Sequence, residues 1–377
     1  MKALALTISQ EALLVDTHID MPYRLQESWA DVTSSAPDRN FDYLRAHFGG
    51  LNAPFMSIYT PAEMEETGGA FLVANQLIDS VEALAARAPN KFAMAHTPQQ
   101  AEAAVSRGLI ALALGMENGA PIEGDLEKLQ HFQKRGVRYV TLAHSKSNHI
   151  SDSSYDENRP WGGLSPFGRE VVTEMNHLGI MVDVSHLSDE AFYDVLEATK
   201  TPVIASHSSA RHFTPDWERN MSDEMIVALA NNGGVIMINF GSTFLTKAAR
   251  EWRDEFGIQR DAWSEETGHG TDSPEAKAFE LTYREKVPFP YSDVADVADH
   301  FDHVIDLVGI EHVGIGSDYD GVGDSLPVGL KDVGGFPNLV EEFLRRGYSR
   351  ADIEAVLGGN LMRVWREVEQ FADSHSG

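Results

Sequence analysis

Eight short apolar runs, separated mostly by helical patterns, constrain this sequence more than any other feature. They are ALLVDT (12–17), PFMSIYT (54–60), LIALALGME (109–117), VRYVTLAH (137–144), IMVDVSH (180–186), PVIASH (202–207), GVIMINF (234–240) and HVGIGSD (312–318). Runs rich in Val, Ile, Leu and Ala without strict polar alternation are the pattern of strands covered on both faces. Segments between them, such as DLEKLQHFQKRG, SPFGREVVTEMNHLG and SDEAFYDVLEATK, carry helical periodicity. Alternating strands and helices predict a parallel sheet. Eight such units predict closure as a (β/α)8 TIM barrel, and no GxGxxG or Walker-type loop follows any strand to argue for an open nucleotide-binding sheet.

The length of 377 residues suits a single barrel domain over 1–377 with insertions. Two connections are longer than a simple barrel needs. One covers 21–53; the other, within 241–311, holds a charged insertion at about 244–290. Both leave the C-terminal ends of strands, where barrel active sites assemble, so both are read as loops or lids shaping a pocket, a plain surface insertion being the alternative. The segment SRADIEAVLGGNLMRVWREVEQF predicts one or two closing helices with a break at Gly358-Gly359.

Charge and composition exclude several functions. Lys+Arg number 30 against 58 Asp+Glu, a formal net charge of -28 that repels phosphate backbones and anionic lipid, so nucleic acid is excluded as a partner. No apolar run approaches the ~18 residues of a membrane span, and no membrane anchor is visible. The N-terminus has no long apolar segment of the kind that directs export, although an exported chain already trimmed would read the same. The expectation is a soluble protein, with cytoplasm and periplasm both open. Cysteine is absent, so any metal must sit on His, Asp and Glu.

Residues of that kind gather at the ends of the runs. His18 and Asp20 follow the first, Glu117 ends the third, His144 the fourth, His186 the fifth, His207 the sixth and Asp318 the eighth. A barrel brings all these ends to one rim. His18 and Asp20, two apart in an extended segment, would share a face and grip one ion. Glu117 follows a stretch of apolar residues where an unpaired charge is costly, a helix cap or buried ion pair being the alternative. Neutral imidazole at His186 and His207 suits Zn2+. Each residue alone reads equally well as an ordinary structural one. Together, three His and two carboxylates on one rim match a two-metal site with a bridging carboxylate. Asp318 is the candidate proton shuttle, with Asp320 its competitor on the same face. His144 is the candidate contact for a substrate carbonyl. Arg219, from the residues alone, is a solvated loop charge. His149, His212, His300, His303 and His312 lie in loops, helices or strand starts and are left aside.

These residues and the longer motifs around them resemble the membrane (renal) dipeptidase family, metallopeptidase family M19, a branch of the amidohydrolase superfamily. The resemblance covers VDTHIDMP, GMENG, VTLAHS, GLSPFGREVVTEMNHLGIMVDVSHLS, SHSSAR followed by RNMSDEMI, GIGSDYDG and LGGNLMRVW, nearly the whole chain. It implies two Zn2+ per chain, one on His18 and Asp20, the other on His186 and His207, with Glu117 bridging. It implies that a hydroxide between the metals attacks the peptide bond, Asp318 acts as acid/base, His144 polarises the carbonyl and Arg219 pairs with the substrate's terminal carboxylate. The substrates implied are short free-carboxylate dipeptides, L,D-dipeptides included, and the assembly implied is a homodimer. The alternatives are a related binuclear amidohydrolase acting on an N-acyl amino acid or lactam, a one-metal lyase or isomerase, and a non-catalytic metal binder. The segment after His144 and the 244–290 insertion depart from the family pattern, which leaves side-chain specificity open.

Overall fold

The computed structural model describes residues 1–271 and 273–375. Nine strands form among them: β1 Leu14–Ile19, β2 Leu51–Tyr59, β3 Phe92–Met94, β4 Ile110–Glu117, β5 Val137–Thr141, β6 Met181–Asp183, β7 Ile204–Ser208, β8 Val235–Ile238 and β9 Val313–Ile315. Eight pair in parallel in the order β1-β2-β4-β5-β6-β7-β8-β9. A parallel bridge between Ile19 and Tyr319 brings β9 back beside β1, so the ring closes as a (β/α)8 barrel. β3 is a short addition on the outside of β4. Its three residues in KFAMAH are too few to show a period. The expected strands all form, but most stop earlier than their apolar runs, so His144, His186 and Asp318 stand on the loops that leave β5, β6 and β9.

Val15, Phe55, Tyr139, Met181, Ile204 and Val235 pack with Leu361 and Trp365 of the terminal helix Asn360–His375 in one buried cluster. Most of these strand residues lie early in their strands, so that helix covers the N-terminal end of the barrel and leaves the opposite rim for chemistry. Gly358-Gly359 does not break the closing segment. The backbone runs from the helix Arg350–Glu354 through a wider π turn, Ala355–Gly359, directly into the terminal helix. A Cβ on Gly358 would stand 2.3 Å from the Leu13 carbonyl oxygen, so the glycine serves close approach to the start of β1.

Both long connections are structured. The first carries helices Met21–Glu27 and Tyr43–Gly49 and buries Val32 and Phe41. The second forms a helical hairpin, Lys247–Thr267 and Pro274–Lys286, with a small core of Ala249, Trp252, Phe256 and Phe289. No helix among the described residues is long and apolar enough to cross a membrane.

Candidate metal centre

Glu117, the last residue of β4, is the centre of the cluster and is 4 % exposed. Its two oxygens face opposite groups. Oε2 lies 3.3 Å from His18 Nε2, which in turn lies 3.5 Å from Asp20 Oδ2. Oε1 lies 3.3 Å from both His186 Nε2 and His207 Nε2, and 3.5 Å from His144 Nε2. Two ligands at ~2.0–2.1 Å from one tetrahedral zinc are themselves about 3.3 Å apart, close to these separations, although His186 Nε2 and His207 Nε2 stand nearer, at 2.8 Å. The donor set also leaves buried atoms without partners: His18 Nε2, Asp20 Oδ1, His186 Nδ1 and His144 Nδ1. Among the described residues, His18/Glu117/His207, Glu117/His144/His186 and His18/Asp20/Asp318 each place three ligand atoms within reach of one ion.

His18 and Ile19 are the last extended residues of β1, and Asp20 follows them. β1 ends at Ile19, and Asp20 is the N-cap of the helix Met21–Glu27 with φ -84° and ψ 18°. The turn into the helix begins after Asp20, so its side chain stands two along from His18 at the strand end, and the two meet at 3.5 Å. His186 and Asp318 sit at φ 71° and φ 62°, a left-handed conformation that costs a side-chain-bearing residue about 1–2 kcal/mol and is retained where the surroundings fix it.

Two hydroxyl relays set the histidine tautomers. Tyr139 OH donates to the Thr17 carbonyl at 2.9 Å, so its contact of 2.8 Å with His18 Nδ1 must be an N–H donated by the ring. Ser206 Oγ donates to Asp183 Oδ2 at 2.6 Å and therefore accepts from His207 Nδ1 at 2.7 Å. In both rings Nδ1 is the donor, and Nε2 is turned toward Glu117 for a ligand. Tyr139 reaches His18 only because β4 has glycine beneath it: a Cβ on Gly115 would lie 1.9 Å from the Tyr139 ring. Asp183 is held in turn by the backbone N–H groups of Ser185 and Ser206.

Electrostatics follow from this packing. Burial pushes the Glu117 carboxyl up, but His18 and His144 and the imidazole hydrogen bonds hold it well below the usual range. Burial disfavours His18 imidazolium, yet Tyr139, Glu117 and Asp20 together raise it well above the ordinary histidine value. His186 and His207 go the other way, lowered well below that value first by burial and then by neighbouring positive groups. Burial, reinforced by the Asp20 and Glu117 charges, raises Asp318 to about 7, opposed by His18 and by the Asn239 amide that donates to its Oδ2 at 2.7 Å.

The structure separates Asp318 from its competitor. Asp320 accepts the backbone N–H groups of Asn40 and Phe41 at 2.8 and 3.2 Å, fastening the first insertion, whereas Asp318 shares a ligand-sized group with His18 and Asp20. His144 packs its ring against His186 at 4.4 Å and edge-on to Tyr59 at 4.9 Å. The solvated loop charge expected at Arg219 is corrected: the side chain is 3 % exposed. It donates to Ser208 Oγ and the His207 carbonyl, both at 2.9 Å, lies over the Phe244 ring, and leaves Nε without a partner. A wall of rings, Phe244, Trp217 and Tyr155, runs from the base of the helical hairpin to His186. Tyr139, Asp183, Ser206 and Asn239 were not singled out by sequence, although Asp183 and Ser206 are polar interruptions of apolar strands.

A parallel barrel with a buried His and carboxylate cluster on one rim is the architecture of an enzyme that could hold a metal there. Comparison with known proteins narrows the class. The family model of the membrane dipeptidases, peptidase family M19, matches residues 2–377. Dipeptidase 3 of Rattus norvegicus is 32% identical over 99% of this chain and 68% of its own length. An uncharacterized dipeptidase of Schizosaccharomyces pombe is 32% identical over 97% of this chain and 82% of its length. The crystal structure of the probable dipeptidase PvdM from Pseudomonas aeruginosa covers 98% of this chain and 99% of its own, at 27% identity and TM-score 0.85. The chain belongs to the membrane dipeptidase family, M19, and is a hydrolase of the metallo-dipeptidase class.

Proposed function

We propose that the protein is a zinc-dependent dipeptidase for substrates with a free C-terminal carboxylate, L,D-dipeptides included, working as one barrel domain. His18 and Asp20 would hold one ion and His186 and His207 the other, with the Glu117 carboxylate available to both. The spacing of His18, His186 and His207 Nε2 around Glu117 and the unpartnered His18 Nε2 and Asp20 Oδ1 support this ligand set. Bound there, two divalent ions supply Lewis acidity and a water acidified to near neutral pH. Asp318, buried beside His18 and Asp20, takes a proton from the attacking water and delivers it to the leaving nitrogen. Asn239 orients that carboxylate through Oδ2. His144 offers a ring N–H to the carbonyl oxygen, where charge develops.

The observation that carries the substrate assignment is Arg219. It is a buried guanidinium with no carboxylate paired to it among the described residues of a chain carrying net charge -28. A buried cation without a counter-ion is costly, and a substrate carboxylate supplies the counter-ion. Arg219→Ala is expected to lower kcat/KM for dipeptides at least about 100-fold, mainly through KM, while affecting the C-terminal amides of the same dipeptides much less. Equal losses on acid and amide would remove Arg219 from carboxylate recognition.

A further inference from the structure

We propose that His212, Asp223 and His303 form a second metal site, outside the dipeptidase centre, that takes a borderline divalent ion such as Zn2+ or Ni2+. The three side chains come from separate elements: the 3-10 turn Arg211–Phe213, the first turn of the helix Asp223–Asn231 and the helix Val294–Val308. One ligand atom from each lies within 4.8 Å of the other two. His303 Nε2 stands 2.8 Å from Asp223 Oδ1, and the His212 ring is stacked on His303 at 4.3 Å between centroids. His212 is exposed and makes no side-chain hydrogen bond among the described residues, so its lone pair is available. An ion pair at a helix start accounts for Asp223 and His303, but it does not use the second imidazole. Two neutral imidazoles and one carboxylate match zinc and nickel and leave an open position for water, and the strongly acidic chain favours cations over its surface. The ion would tie the 211–213 turn to two helices of the outer layer. Phe213 of that turn packs on His300, which donates to the Leu245 carbonyl at the base of the helical hairpin.

The test is equilibrium titration of the folded, chelator-stripped protein with Zn2+, read as ions bound per chain, on wild type and on His212→Ala/His303→Ala. The double variant is expected to bind one ion fewer per chain, at micromolar rather than tighter affinity, with dipeptidase activity at limiting metal unchanged. Asp223→Asn, which keeps a polar side chain at the helix start, is expected to weaken that step about tenfold or more. Equal stoichiometry in wild type and the folded double variant would overturn the proposal, as would loss of an ion that also removes activity. Because the comparison is a difference between variants, it stands whatever the number of ions at the dipeptidase centre.

Discussion

Tyr139→Phe isolates the tautomer relay at His18. The substitution removes one buried hydroxyl and keeps the ring, which packs on Phe55 and over Gly115. His18 Nδ1 then loses the acceptor at 2.8 Å that holds its proton away from Glu117, in a ring that is 0 % exposed. A buried N–H left unsatisfied costs about 1–3 kcal/mol, and the ring escapes part of that cost by moving the proton to Nε2, the atom an ion must use. Loss of such a supporting hydrogen bond weakens metal binding roughly 10–100-fold, which corresponds to about 1.4–2.7 kcal/mol. The assay is competition of the stripped protein with a chromophoric chelator for Zn2+. The variant is expected to show that loss of affinity, with kcat restored at saturating zinc and the metal-free form destabilised by about 1–3 kcal/mol, since the Thr17 carbonyl also loses its donor. Zinc affinity within twofold of wild type would refute the relay.

Two further predictions follow from buried titrating groups. Asp318→Asn is expected to lower kcat on dipeptides by roughly 10²–10⁴ while zinc content measured by atomic emission stays that of wild type; a kcat within tenfold would place the proton transfer elsewhere. His300 is fully buried and uses both nitrogens when neutral, accepting from the Ala210 N–H and donating to the Leu245 carbonyl. Burial lowers it from 6.5 to about 4. Between those values the unfolded chain binds the proton and the folded chain does not, so stability falls as pH drops below 6.5. From pH 7.5 to 5.5 this removes about 1.3 kcal/mol. Urea unfolding of the metal-free protein should show that much less pH dependence in His300→Gln; identical slopes would contradict the assignment.

The barrel was legible because strands covered on both faces write themselves as apolar runs, and eight such runs with helical spacers admit few architectures. What the runs did not show was where each strand stops. His186 and Asp318 lie past the ends of β6 and β9, in left-handed conformations that apolar periodicity does not encode. The clustering of His18, Asp20, Glu117, His186 and His207 was legible through convergence at run ends, and the spacing of His18 and Asp20 was legible because His18 and Ile19 are the last residues of β1. Arg219 was read from its own residues as solvated because a charge in ERNMSDE carries no mark of burial; the packing of Phe244 from the second insertion is long-range and unwritten in the local sequence. Tyr139 was invisible for a similar reason. Its partner His18 is 121 residues away, and the glycine that makes room for it stands on another strand.

The binuclear centre is the claim on which the rest depends. Anomalous diffraction at the zinc edge, from crystals of the zinc-loaded protein, tests it most directly. The expected result is two peaks ~3.5–4 Å apart, one beside His18 and Asp20, the other beside His186 and His207, with Glu117 between them. A single peak at this rim, or two that do not share Glu117, would contradict it.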